Sequence, residues 1–191
     1  MILRTIARRL ALAAGILGLA AVAGSAGASA QGLFGWLQGE GSREMVNFNP
    51  QFPVGQIVVS FGDKRLYHVI GRGKAMSYPI AIPREQSRWA GVTSVSMKRV
   101  NPSWTPTPTM RKENPRLPTY VPGGHPQNPL GVRALYLGSS TYRIHGTDAP
   151  WTIGQNVSKG CIRMYNEDVV ELYNKVPVGT KVTVTWQRYR S

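Results

Sequence analysis

Residues 56–82 read QIVVSFGDKRLYHVIGRGKAMSYPIAI, and the texture of this stretch decides the fold class. Three short β-branched and aromatic runs, QIVVS, RLYHVI and AMSYPIAI, are separated by GDK and GRGK, whose glycine and polar residues mark turns. That spacing predicts a strand meander, with His68 on a strand face as a packing or surface residue. Further along, TSVSMKRV (93–100) alternates as a strand does, and GVRALYLG and TYRIHG read as two more strands joined by a Gly-Ser-Ser turn. TKVTVTW closes the series, with Val182, Val184 and Trp186 alternating with threonines. One helical pattern stands among them. Asn166 reads as its N-cap, Glu167 and Asp168 fall in the first turn where the helix dipole favours acids, and Val169, Leu172, Tyr173 and Val176 keep helical spacing until Pro177 and Gly179 end it. Seven or eight strands and one late α-helix predict a mainly β fold, a sandwich or barrel-like sheet with a helix packed on it.

Between those strands lies a stretch without periodicity. Eight of the fourteen prolines fall between Pro102 and Pro129. Proline lacks a backbone donor and restricts the residue before it, so neither helix nor central strand is expected here. A loop of roughly thirty residues inside a compact domain usually serves as a lid or a binding loop. Trp104 and Tyr120 give it apolar faces that can anchor it or line a cleft.

The first thirty residues are of another kind. Arg4, Arg8 and Arg9 give a charged start, an apolar run extends from Leu10 to about Val22, and small residues end at Ala28-Ser29-Ala30. That order is the pattern of a secretory signal peptide cleaved before Gln31. The run is too short and too rich in Gly and Ala for a spanning helix, so no membrane span is expected after cleavage. Residues 31–53 mix glycine, polar residues and isolated aromatics, and read as a linker or loosely docked arm, leaving residues 54–187 as the folded domain. The expected address is outside the cytoplasm, in the periplasm or cell envelope.

The formal charge of +14 falls to +11 when the three arginines of residues 1–30 are removed. Such a charge suits an anionic polymer or surface. The basic residues are scattered singly, with no zinc-finger spacing and no recognition-helix pattern, so nucleic acid is not the expected partner.

Export makes the cysteine count informative. Structural cysteines outside the cytoplasm usually come in pairs, and Cys161 is the only one. It lies in IHGTDAPWTIGQNVSKGCIRM (144–164), sixteen positions after His145. A thiol and an imidazole, each beside glycine, suggest a nucleophile and its base on neighbouring strands or loops. A thiol is only a few per cent ionised at neutral pH, and an adjacent imidazole is expected to raise the thiolate fraction.

His145-Gly146-Thr147 followed by Ser158-Lys159-Gly160-Cys161-Ile162-Arg163-Met164 resembles the signature of the L,D-transpeptidase catalytic domain (YkuD-like). GGHPQNPLGVRALYLG, WTPTP and NEDVVELYNKVPVGTKVTV resemble that family too, so the likeness runs from about Val54 to Trp186. It implies a mostly β fold acting on peptidoglycan stem peptides without a cofactor or metal. A cysteine would attack the L,D peptide bond between the third and fourth stem residues, and an amine would displace the resulting thioester. Carried over, Cys161 is the nucleophile and His145 the general base, and the Gly160 and Cys161 backbone supplies N–H donors to the oxyanion. Ser158, Gly146 and Arg163 are candidate oxyanion or substrate-binding residues. Arg163 suits a substrate carboxylate such as that of diaminopimelate, with an ion pair to Glu167 or Asp168 as its structural alternative. Lys159 stands where many members have histidine, and it cannot accept a proton as histidine does. The acceptor amine would come from another stem, a D-amino acid or an envelope protein, and carbapenem-type inhibitors are expected to acylate Cys161.

Three rival readings compete. A metal site of His68, His125, His145 and Cys161 has the right ligand types but no close pair to anchor it. An L,D-carboxypeptidase would hydrolyse the same thioester. A non-catalytic wall-binding module would keep the fold, but has no need of a free thiol.

Overall fold

Ile57, Val58, Val59 and Ser60 are all buried, so this strand is covered on both faces. It is the middle of the computed structural model, which describes residues 41–190. The signal peptide expected over residues 1–30 and the first part of the 31–53 arm lie outside the described residues. In chain order the first strands are β1 (Glu44–Asn47), β2 (Ile57–Ser60), β3 (Arg65–Gly71), β4 (Lys74–Pro79), β5 (Ile82–Pro83) and β6 (Gly91–Val100). They are followed by β7 (Arg133–Leu137), β8 (Arg143–His145), β9 (Asn156–Ser158), β10 (Ile162–Arg163) and β11 (Lys181–Thr185).

Nine strands form one mixed sheet in the order β1-β4-β3-β2-β11-β6-β7-β8-β10, and β5 pairs with β9 separately. The expected meander is β2–β3–β4, antiparallel, with Ile57 opposite His68 and His68 opposite Met76. Strand β6 links the two halves of the sheet. Its first residues pair with β11 and its later ones with β7, and the register shifts between Val95 and Met97. Such an irregularity bends a strand. Side chains from both halves, Val59 and Leu66 on one and Leu135 and Ile144 on the other, accordingly share one core. The strands the sequence did not disclose, β1, β5, β9 and β10, have two to four residues each, too few for alternation to register.

Two α-helices are present among the described residues: α1 (Pro108–Glu113) and α2 (Asn166–Lys175). The first corrects the expectation that no helix fits among the prolines. Thr107 caps it, its hydroxyl accepting from the Met110 N–H at 3.2 Å. Pro108 occupies the first turn, where a missing donor has no helical partner to lose. The rest of the segment is held by paired backbone bonds between Trp104 and Val121, of 2.9 and 2.8 Å.

The second helix begins differently from the sequence reading. Tyr165 occupies the N-cap position without a side-chain bond, and Asn166 is the first helical residue. The Asn166 side chain reaches sideways instead. Its Oδ1 accepts from the Thr147 N–H at 3.0 Å and from the Val132 N–H at 3.4 Å, while its Nδ2 donates to the Thr147 carbonyl at 2.9 Å. The amide thus ties the helix to the loop that leaves β8.

The segment read as a loose arm holds an edge strand. β1 pairs with β4, and Arg43 bridges to Asp168 at 3.0 Å and Glu171 at 3.1 Å on α2. Burial pushes the Asp168 carboxyl up to about 6, against the pull of Arg43.

Leu172, fully buried, joins α2 to the core together with Val169 and Val176. Leu172→Ala should lower unfolding stability by about 2–5 kcal/mol, read from urea denaturation with an unchanged slope. A loss too small to measure would show that the helix is not held by that core.

Candidate active site

Ile144 and Ile162 are fully buried and stand opposite each other in the parallel pair β8–β10. Strand side chains alternate, so the residues flanking each isoleucine turn to the other face. From β8 these are Arg143 and His145; from β10 and its entry they are Arg163 and Cys161. Arg163 is the partner of His145, which sets Cys161 beside Arg143 and diagonal to His145. Strand spacing and rise put such diagonal Cα atoms about 8 Å apart, within the combined reach of a thiol and an imidazole. Both side chains line one cavity of about 150 Å³. The pair singled out in the sequence is brought together.

His145 is buried, and its Nδ1 lies 2.6 Å from the Gly146 carbonyl oxygen. A carbonyl only accepts, so Nδ1 carries the proton and Nε2 keeps the free lone pair. Burial first, then the Arg163 charge, push the imidazole down to about 3. The Cys161 thiol is pushed up by burial, partly offset by hydrogen bonds and charge from Arg143. Its Sγ sits 3.8 Å from the Thr141 carbonyl. The resting pair is therefore a neutral thiol and a neutral imidazole. Desolvation disfavours both charged forms at once, and it works against the rise in thiolate fraction expected from an adjacent imidazole.

The other candidates divide. Ser158 is buried, and its hydroxyl donates to the Cys161 carbonyl at 2.5 Å, so it braces the nucleophile's own backbone. Gly160 has φ +119, and a Cβ there would lie 2.2 Å from the Tyr142 ring. Gly146 is glycine for a packing reason: a Cβ would lie 2.1 Å from Asn166 Oδ1. Arg163 makes only a 3.5 Å contact to Thr152 Oγ1, and its Nε is buried with no partner. Neither ion pair considered for it is formed: Asp168 is bound to Arg43, and Glu167 makes no ion pair with it. Lys159 pairs with Glu113 at the end of α1 and so ties the proline-rich segment to the nucleophile loop. Exposed pairs of this kind are typically worth about 0–1 kcal/mol, a tether that can open.

A larger cavity of about 760 Å³ adjoins the first, with Trp104, Tyr120, His125, Arg84, Asp148 and Arg163 among its walls. The proline-rich segment thus lines a cleft, as its length suggested. His125 is exposed, and His68 lies on β3 facing a separate cavity, so neither joins the thiol. Among the described residues no group of three or more His, Cys, Asp or Glu is arranged to hold a metal ion.

Sequence reasoning missed Arg143, Tyr142 and Trp89. Arg143 had a usable signal, since it lies two residues before His145 on a strand and must share its face. Its Nε, like that of Arg163, is buried and unpartnered. Trp89 had none: its indole N–H donates to the Gly160 carbonyl at 3.0 Å across 71 positions of sequence.

Comparison with known proteins identifies the family. The profile of the YkuD family, the L,D-transpeptidase catalytic domain, matches residues 55–184. Probable L,D-transpeptidase ErfK/SrfK of Escherichia coli strain K12 is 44% identical over 137 residues, which cover 67% of this chain and 43% of that protein. The chain thus spans less than half the length of this curated relative. A chain from Brucella melitensis, solved as a probable carnitine operon oxidoreductase, is 38% identical with a TM-score of 0.52, covering 80% of this chain and 98% of its own. An L,D-transpeptidase from Mycobacterium tuberculosis shares the fold at 19% identity and a TM-score of 0.52, over 68% of this chain and 56% of that one. With the profile running from the turn before β2 into β11, and so across every strand that carries the thiol and the imidazole, this chain belongs to the YkuD family of L,D-transpeptidase catalytic domains.

Proposed function

We propose that this protein is an exported peptidoglycan L,D-transpeptidase in which Cys161 is the nucleophile and His145 the general base. The observation that carries the reading is the shared face of β8 and β10. A thiol and an imidazole with a free Nε2 line one cavity beneath a loop that can exclude water. In the reaction, the Cys161 sulfur adds to the carbonyl of the L,D peptide bond as its proton passes to His145 Nε2. The C–N bond then breaks, the departing amine takes that proton, and a thioester remains. An acceptor amine adds to the thioester, and its C–S bond breaks to regenerate the thiol. Gly160 and Cys161 backbone N–H groups would hold the oxyanion in both halves.

Arg163 and Arg143 fit the donor stem. Each has a buried Nε without a partner beside the thiol, and a stem carboxylate would supply one. The signal-like residues 1–30 support export to the periplasm or envelope. We place the catalytic domain at residues 54–187. Among the described residues no helix is long and apolar enough to cross a membrane.

Product analysis tests this directly. Purified protein incubated with disaccharide-tetrapeptide, alone and with added D-amino acid or lysine-ended peptide, should release the terminal residue and yield an amine-linked product. Tripeptide as the sole product would instead establish an L,D-carboxypeptidase. Cys161→Ala should abolish both turnover and the covalent carbapenem adduct seen by mass spectrometry. An unchanged adduct in that variant would remove the nucleophile assignment.

The acid limb of the reaction gives a second test. An imidazole held down at about 3 stays an unprotonated base well below the pH at which an ordinary histidine titrates. The second-order rate of carbapenem acylation should therefore persist below pH 6.5, with its acid limb displaced toward the imidazole's value of about 3. His145→Ala should be slow throughout that range. A wild-type limb centred near 6.5 would show that the ring is not sealed from solvent.

A further inference from the structure

The peptide that leads into Cys161 is fixed from two directions. Trp89, partly buried against the core, donates its indole N–H to the Gly160 carbonyl at 3.0 Å. The same indole stacks on Tyr142, with ring centroids 4.8 Å apart and planes 6° from parallel. Tyr142 in turn fills the space beside Gly160, where a Cβ would meet its ring at 2.2 Å, and φ +119 at that residue is open in practice only to glycine. Gly160, Trp89 and Tyr142 thus form a closed triangle. The stack limits Gly160 by shape alone and leaves the 160–161 peptide free to rock about its Cα–Cα axis. The hydrogen bond removes that freedom.

In a trans peptide the carbonyl oxygen and the following N–H point in opposite directions. Holding the Gly160 oxygen toward Trp89 therefore turns the Cys161 N–H away from it. Among the described residues, no backbone carbonyl outside the strand ladders accepts that N–H.

We propose that Trp89 is a positioning residue for acyl transfer: by holding the Gly160 carbonyl, its indole N–H sets the Cys161 N–H as a donor to the oxyanion. The inference rests on the thioester reading above. As the C–S bond forms, the carbonyl π electrons move onto oxygen and the thiol proton passes to His145. When the C–N bond breaks, that pair returns to the carbonyl and the amine leaves with the proton. Trp89 touches neither sulfur nor substrate in these steps. Its effect reaches the oxyanion only through the orientation of one peptide.

Two reactions of the same sulfur separate this role from a merely structural one. Acylation by a carbapenem passes through a tetrahedral oxyanion, whereas alkylation by iodoacetamide is a displacement at saturated carbon and makes none. The variants are Trp89→Phe and the full chain carrying benzothienylalanine at position 89, an isostere that keeps the bicyclic ring and lacks only the N–H. Acylation should slow by about tenfold or more in both, given that loss of a whole oxyanion donor costs about 100–1,000-fold, while alkylation keeps its wild-type rate. If Trp89→Phe does not fold, the isostere alone decides. Wild-type acylation in the isostere would overturn the inference. So would a parallel fall in both reactions, because the thiol itself would then be what changed. A wild-type protein that takes no acyl group on Cys161 would remove the thioester reading and this inference together. An acylated wild type with an unaffected isostere would remove this inference alone.

Discussion

The parallel pairing of Ile162 with Ile144 is the contact on which the rest of the site depends. Two β-branched side chains with no exposure to water hold a two-residue strand against a three-residue one. Because side chains alternate, that burial dictates the opposite face, where Arg143, His145, Cys161 and Arg163 emerge together. A slip of one residue would turn Cys161 into the core and Ile162 into the cleft. So short a ladder needs support at its ends. Asn166 holds the loop leaving β8, the Ser158 hydroxyl holds the Cys161 carbonyl, and the Ala81 backbone pairs with Arg163 through bonds of 2.9 and 3.0 Å. Helix, loop and an isolated bridge thus brace the backbone around the pair.

The electrostatics of that face follow from the same burial. Burial disfavours charge on the imidazole and on the half-buried thiol, and two guanidinium groups stand beside them. Those cations have buried Nε atoms without partners, a state that stays costly until an anionic or carbonyl-bearing group arrives. In the proposed reaction the incoming stem would satisfy the arginines and complete the site in one event.

What the sequence disclosed followed element length and chain distance. The meander and β6 were legible because β3, β4 and β6 have six to ten residues, long enough for β-branched runs to show, and because turn glycines mark the ends of the meander strands. Strands β9 and β10 were not, since three and two residues carry no period. The helix among the prolines was missed for a different reason. Thr107-Pro108 is a helix-start signal, but eight prolines nearby outweighed it. Asn166 was misread because the amide chemistry that caps a helix also bridges a loop, and the sequence does not say which N–H it meets. Cys161 and His145 were singled out because an unpaired cysteine in a chain expected to be exported needs a use, and because the motif around them resembles the family signature. Trp89 and Tyr142 gave no such signal, since aromatic residues at strand edges ordinarily only pack.

With its Nδ1 committed to the Gly146 carbonyl and its ring sealed from water, His145 is a poor resting place for a proton. The reluctance that makes it a weak base makes its conjugate acid strong by the same margin. In the proposed reaction, an imidazolium formed as the sulfur adds is unstable until it finds a better acceptor. The nitrogen of the breaking amide is such an acceptor, being more basic than the sulfur once the tetrahedral carbon forms. The ring then acts as a relay and not a store, and the proton spends its time on the thiol or on the departing amine.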